Sequence, residues 1–306
     1  MVCITFKPSL FGGIKVFEYK YKLPKSSHKT TYGSVCIKNI IFTPEEIQKY
    51  LPDIVFEDEN LKHMFAESQL DDKKRKNIYR RFIPKETIDS TLEEYIQNCI
   101  KRNKTFYSFL AEGILGLVFR DLYGYDLAKG VIDISETLND THTGVDACMY
   151  NTQENVIVLG EAKFYEELNS GINRIISDFT AKNIKNKLMS FQTNVENCDE
   201  AYQIILKNLE MDDYDELTMQ EFMQQKIIFA GFVLHSENDV SNYGDKDFYN
   251  AYDIDSKQLK KHICDELKID KINDDYEILL IHLPIKDKKE LIVKVIEKSK
   301  KLLSGM

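Results

Sequence analysis

The segments Thr143-Gly144-Val145-Asp146-Ala147 and Gly160-Glu161-Ala162-Lys163-Phe164 set two carboxylates and an amine at the ends of two apolar stretches. Between them lies a polar turn, Thr152-Gln153-Glu154-Asn155. With those four residues as the loop of a hairpin, Asn151 pairs with Val156 and Asp146 falls opposite Glu161. Cβ atoms so opposed are about 4.5–5.5 Å apart. Glu161 and Lys163 are two residues apart, so they share that face. A slip of one residue would break the arrangement. Two facing carboxylates repel each other unless something neutralises them. A hard divalent cation does so, and Mg²⁺ favours one or two carboxylates with water and phosphate oxygens, a role Mn²⁺ can fill as well. A lysine alongside can orient or deprotonate an attacking water and steady the charge that develops on phosphorus. The chemistry that needs this trio is metal-assisted phosphodiester hydrolysis. The plain alternative is a solvated hairpin face carrying ordinary charged residues. Val156–Leu159 is continuously apolar, which predicts a central strand covered on both faces and favours the site.

A fourth acid stands upstream. Phe106–Tyr123 reads as an apolar helix ending at Gly124, and at helical spacing Glu112 shares its stripe with Phe109, Leu115, Gly116 and Phe119. An acid there is expensive unless it is paired or bound to a metal. Gly116 lets the helix come close to a sheet. A structural salt bridge would explain Glu112 equally well.

The elements around these residues alternate. Ile14–Tyr21 and Tyr32–Phe42 read as strands, and Thr43-Pro44-Glu45-Glu46 opens a helix. Ser90-Thr91-Leu92-Glu93 is a capping box for a helix over Thr91–Arg102. Strands follow at Val131–Ile134, Gly144–Tyr150 and Val156–Lys163. Helices follow at about Glu166–Phe191 and Asp199–Gln225. Ile227–His235 is a buried strand, and Lys257–Leu267, Tyr276–Leu283 and Lys286–Leu303 read helix, strand, helix. This order predicts an α/β fold, a mixed sheet flanked by helices. A smaller α+β region occupies residues 1–85, and the site-bearing domain occupies 86–306.

Composition narrows the function. The chain has 306 residues, 43% hydrophobic and 30% charged, enough for a sizeable core. Six cysteines and six histidines are scattered without zinc-binding or disulfide spacing. No apolar run approaches the ~20 residues of a membrane span, and the N-terminus lacks a signal-peptide pattern, so the expected compartment is the cytoplasm. A net charge of −9 argues against coating nucleic acid by bulk electrostatics, though not against a local basic groove. Arg174, Lys182 and Lys185 follow the site strand on a helix and are candidate phosphate contacts; a solvated helix face is the alternative. Lys73, Lys74, Arg75, Lys76, Arg80 and Arg81 form a second basic cluster that could meet DNA or a partner.

Helix Glu112, Gly144-Val145-Asp146-Ala147, a hairpin, and Gly160-Glu161-Ala162-Lys163-Phe164 together resemble the PD-(D/E)xK nuclease superfamily. Its eponymous proline is replaced by Val145. More narrowly, Leu110–Tyr123 with these two motifs resembles the HamA family, the nuclease subunits of the Hachiman antiphage system. The resemblance covers Phe106–Phe179 by motif and the rest by layout. It implies a restriction-endonuclease-like core and a Mg²⁺-dependent DNA nuclease effector controlled by a superfamily-2 helicase partner, HamB. Asp146, Glu161, Lys163 and Glu112 would then be catalytic, with the three acids as metal ligands. Residues 1–85 and the Ser236–Ser256 loop are candidate surfaces for the helicase. The rival reading is a catalytically silent subunit that keeps the fold and regulates the helicase; a nuclease for structured RNA or a repair intermediate is a third.

Overall fold

A computed structural model describes residues 2–5, 17–22, 29–37, 44–65, 67–83, 91, 94, 97, 108–128, 146–178, 198–209, 226–236, 265 and 277–306. Eight strands form one sheet: β1 Val2–Thr5, β2 Phe17–Lys22, β3 Lys29–Ile37, β4 Asp126–Leu127, β5 Ala147–Asn151, β6 Val156–Tyr165, β7 Ile227–Ser236 and β8 Glu277–Ile285. Their spatial order is β1-β2-β3-β8-β7-β6-β5-β4. The pairs β3–β8, β8–β7 and β7–β6 are parallel, and the outer pairs on both sides are antiparallel. The sheet is mixed, as the alternating order predicts.

Helices α1 Pro44–Val55, α2 Asp58–Met64, α3 Asp72–Arg81, α4 Ser108–Val118, α5 Leu168–Asp178, α6 Asp199–Leu209 and α7 Lys288–Ser304 flank it. α4 widens into a π turn over Phe119–Tyr123 and stops at Gly124, whose φ of 69° is left-handed. The region before residue 85 is more helical than its sequence suggests. Beyond the helix opened by Pro44 it holds α2 and α3, and the basic cluster is the helix α3 itself. The expected boundary at residue 85 lies outside the described residues. The capping box sits one residue later than expected. Glu94 N donates to Thr91 Oγ1 at 3.2 Å and Thr91 N donates to Glu94 Oε2 at 3.0 Å. Thr91-x-x-Glu94 meets the same pattern as Ser90-x-x-Glu93. The strand expected at 131–134 falls outside the described residues, as does the helix expected at 257–267 except for Asp265, which is helical.

Side chains of β6 and β7 alternate between two helix layers. A Cβ on Gly160 would lie 2.8 Å from Leu115 Cδ2, so α4 rests directly on β6. α1, α2, α3, α4 and α7 share one apolar cluster on this face, including Leu51, Leu61, Phe82, Leu115, Val158, Phe232, Leu283 and Val295. On the opposite face, a Cβ on Gly171 would lie 2.5 Å from Val233 Cγ1, which brings α5 down on β7. β6 and β7 are buried along almost their whole length, in keeping with strands covered twice.

Three histidines sit in this frame, His235 and His282 buried and His63 half-buried. His63 Nε2 donates to the Gly116 carbonyl at 3.3 Å and ties α2 to α4. His235 Nδ1 donates to the Ser236 carbonyl at 2.7 Å, which leaves its Nε2 to accept from His282 Nδ1 at 3.0 Å. Burial, with Arg120 beside it, pushes His63 down to about 4. Burial and then His235 push His282 down to about 3, and burial lowers His235.

Two outcomes are expected. Gly171→Ala should destabilise the fold by ~1–3 kcal/mol despite alanine's better helix propensity, because buried Val233 has nowhere to move. Urea denaturation measures this, and a smaller loss in a Val233→Ala background would show that the contact is the cause; equal losses in both backgrounds would not. The second concerns pH. The folded values of the histidines lie below the ordinary 6.5. Their stabilisation is therefore present above pH 6.5 and lost as pH falls through the folded values. For His63 alone the loss between pH 6.5 and about 4 is at most on the order of 3 kcal/mol. His63→Gln should flatten the acid limb of a stability–pH curve, and an unchanged limb would count against the assignment.

Candidate active site at the β5–β6 hairpin

The hairpin has the expected register. Asn151 pairs with Val156 and Ala147 with Gly160, so Asp146, one residue before β5, stands across from Glu161. The Asn151 side chain sets the loop. Its Oδ1 accepts from Gln153 N and Glu154 N, both at 2.9 Å. Its Nδ2 donates to the carbonyls of Tyr123 and Gly124 at 3.4 and 3.3 Å. Asn155 closes the turn with a φ of 52°, a conformation asparagine tolerates well. The turn is thereby locked to itself and to the end of the α4 segment.

Asp146, Glu161 and Lys163 fall on the α5 face. Lys163 Nζ donates to Glu161 Oε2 at 2.8 Å and lies 3.5 Å from Asp146 Oδ2. It also reaches Asp178 Oδ2, at the end of α5, at 3.1 Å. Asp146 Oδ2 accepts from Ala162 N at 2.8 Å, which fixes that carboxylate on β6. Glu161 is only 3% exposed. Burial alone would push the Lys163 ammonium down, but the charges of Asp146, Asp178 and Glu112 outweigh it and hold the value up. Lys163 therefore stays charged in this setting, which suits a donor rather than a base.

Glu112 approaches from α4, on the other face. Its carboxyl is held well above the usual range, first by burial and then by the charge of Asp146; a hydrogen bond with Ser108 and the Lys163 charge pull the other way. Asp146, Glu161 and Lys163 meet on the hairpin, and Glu112 on the neighbouring helix is close enough to feel the charges of Asp146 and Lys163.

Asp178 is an addition that the sequence reading missed. Its signal is the Arg174-x-x-x-Asp178 spacing, a helical ion-pair pattern, and Arg174 Nε does lie 3.4 Å from Asp178 Oδ2. Arg174 is exposed and so joins the site through that acid. Lys182 and Lys185 lie outside the described residues. Lys288, at the start of α7, is a second addition without a sequence signal. Its Nζ donates to the Phe164 carbonyl at 2.6 Å and lies 4.6 Å from the centre of the Phe164 ring. Its backbone N donates to Ser236 Oγ at 2.9 Å, and that hydroxyl donates to Glu166 Oε2 at 3.1 Å. Burial pushes the Lys288 ammonium down to about 8, against the pull of Glu166. These bonds anchor β6 immediately beyond Lys163.

Among the described residues, no three His, Cys, Asp or Glu side chains form a ready-made metal cage. Asp146 and Glu161 nevertheless converge on one cation, the Lys163 ammonium. Two such carboxylates fit Mg²⁺, which keeps most of its waters, better than they fit an ion that demands a full protein shell.

Asn151→Ala should cost about 1–3 kcal/mol by orphaning the two loop amides. It should also blur the alignment of Asp146 with Glu161. Asn151→Asp keeps both accepted bonds but sets a carboxylate oxygen against the Tyr123 and Gly124 carbonyls, so it should recover part of the loss. Denaturation midpoints and amide exchange across residues 147–160 test this; equal effects from the two variants would refute the loop's role.

Among the described residues, no helix is long and apolar enough to cross a membrane. No curated protein matches the chain. The family model of HamA matches residues 30–299, a span that takes in β3, the hairpin, Glu112 and most of α7. The chain belongs to the HamA family of Hachiman defence-system proteins.

Proposed function

We propose that this chain is a PD-(D/E)xK-type deoxyribonuclease, the effector of a Hachiman antiphage system, acting with a HamB-like superfamily-2 helicase. The observation that carries this reading is the seating of Lys163 Nζ 2.8 Å from Glu161 and 3.5 Å from Asp146 on one face of one hairpin. Asp146 and Glu161 would hold Mg²⁺, or Mn²⁺ in its place, with Glu112 as a further acid at the ion. The bound ion would neutralise phosphate oxygens and make a water more acidic. Asp146 is kept in place by the Ala162 amide. Lys163 donates to a phosphate oxygen and steadies the charge that grows there. Arg174, Lys182 and Lys185 would lie along the DNA backbone. A helicase that delivers DNA would overcome the repulsion expected from a net charge of −9.

One observation favours a second reading. Lys163 is already satisfied by three acids, as it would be in a silent subunit whose network serves only the fold. Cleavage of labelled DNA by the purified chain with its helicase, in Mg²⁺ and in EDTA, separates the two. Asp146→Ala and Glu161→Ala should abolish cleavage and weaken Mg²⁺ binding measured by calorimetry. Lys163→Ala should lower the rate by on the order of 10²–10³ while Mg²⁺ binding persists. Cleavage at the wild-type rate in Lys163→Ala would refute its role, and an inactive wild type that binds no Mg²⁺ would establish the silent subunit.

A further inference from the structure

α3 carries six cations and one acid within ten residues, in a chain whose net charge is −9. Two of those cations hold the helix in place. Lys74 pairs with Glu67, and Arg75 pairs with Asp58 at 2.6 Å and Asp72 at 3.3 Å. Asp71 caps the helix by accepting from Lys74 N at 2.7 Å. Ser299 Oγ of α7 donates to the Tyr79 carbonyl at 2.6 Å, while Ile78 and Tyr79 are buried. The other four, Lys73, Lys76, Arg80 and Arg81, form no ion pair among the described residues; three are exposed and Lys76 is half-buried. Lys73, Lys76 and Arg80 fall at i, i+3 and i+7, one stripe ~10 Å long. Arg81 flanks it.

The stripe ends against the helix that carries Glu112. Phe82, the residue after Arg81, meets the Phe109 ring edge-on at 5.4 Å. Phe109 lies one helical turn before Glu112. α4 runs antiparallel to β6, with Leu115 over Gly160 and Glu112 within reach of the Asp146 and Lys163 charges. Phe109, and the end of α3 packed on it, therefore lie toward the carboxyl end of β6, beyond Lys163.

We propose that α3 is a fixed phosphate-binding rail for the DNA that the β5–β6 site cuts, with Lys73, Lys76, Arg80 and Arg81 contacting its backbone. This rests on the nuclease reading for the identity of the nucleic acid. The chemistry of the face favours a phosphate backbone over an acidic protein. Its outward residues are charged or polar, with no aromatic or aliphatic anchor of the kind that carries protein–protein affinity. Phosphate contacts need charge and rigidity alone. The internal pairs of Lys74 and Arg75 supply the rigidity, since they hold the helix without drawing on the four outer cations.

The test is anisotropy of a fluorescein-labelled DNA duplex with the full chain in EDTA, between about 50 and 200 mM salt. EDTA removes cleavage from the readout. Replacing Lys73, Lys76, Arg80 and Arg81 together by Gln should weaken binding at least tenfold. It should also lower the slope of log affinity against log salt by roughly 3 to 4, the value for four phosphate contacts. Lys73→Arg with Lys76→Arg should bind as wild type does, which guards against a folding artefact. Unchanged affinity and slope in the Gln variant would overturn the rail, as would a wild type that binds no duplex. Loss of a protein partner with DNA binding intact would assign the face to that partner and overturn it too. None of these outcomes alters the Mg²⁺ and cleavage measurements on Asp146 and Glu161, so the rail and the nuclease reading fail separately.

Discussion

The hairpin register is the constraint on which the rest depends. Side chains alternate along a strand, so one residue of slip would send Glu161 and Lys163 to the α4 face. Ladder hydrogen bonds alone do not forbid that slip, because every register of a ladder makes similar bonds. Asn151 does forbid it. Its amide oxygen takes both loop amides and its nitrogen holds the chain leaving α4. The pin lies at the far end of the hairpin from Asp146. A polar side chain remote from the chemistry thus decides whether the two carboxylates meet.

The second constraint is charge. Glu161 is almost wholly buried, and Asp146, Asp178 and Glu112 stand around the same ammonium. One lysine cannot balance four carboxylates, and burial together with the Asp146 charge raises the proton affinity of Glu112. A site with surplus negative charge and a fixed geometry is tolerant of an added cation. The same surplus would repel an approaching phosphate, so cations must be supplied nearby. On the proposed reading, Arg174, held by Asp178, and the outward side of α3 would supply them.

Much of this was legible in the sequence where the signal is local. The polar four-residue loop gave the register, parity gave the shared face, and the apolar run at Val156–Leu159 gave a doubly covered strand. Glu112 stood out as an acid on an apolar stripe. Contacts between elements distant in sequence were not legible. Asp178 meets Lys163 only because α5 returns over the sheet on Gly171 against Val233. Lys288 meets Phe164 across 124 residues, and nothing in the Asp287-Lys288 segment marks it out. The dense charge of α3 hid a helix: its two buried residues, Ile78 and Tyr79, are too few to show a periodicity.

The sheet explains why the candidate residues gather at β6. β6 is the strand at which pairing changes, antiparallel to β5 and parallel to β7. On the antiparallel side a short loop brings Asp146 opposite Glu161, a juxtaposition that a parallel pair reaches only through a long crossover. On the parallel side β6, β7 and β8 all present their carboxyl ends in the same direction, where ligands of open α/β sheets bind. β6 continues four residues past Glu161 and remains paired with β7 to Tyr165, beyond its described pairs with β5. Lys163 lies in that stretch. It is supported by β7 on one flank and by Lys288 at the strand's end. A purely parallel sheet would lack the close acid pair, and a purely antiparallel one would lack the common carboxyl edge. The mixed sheet supplies both at one strand.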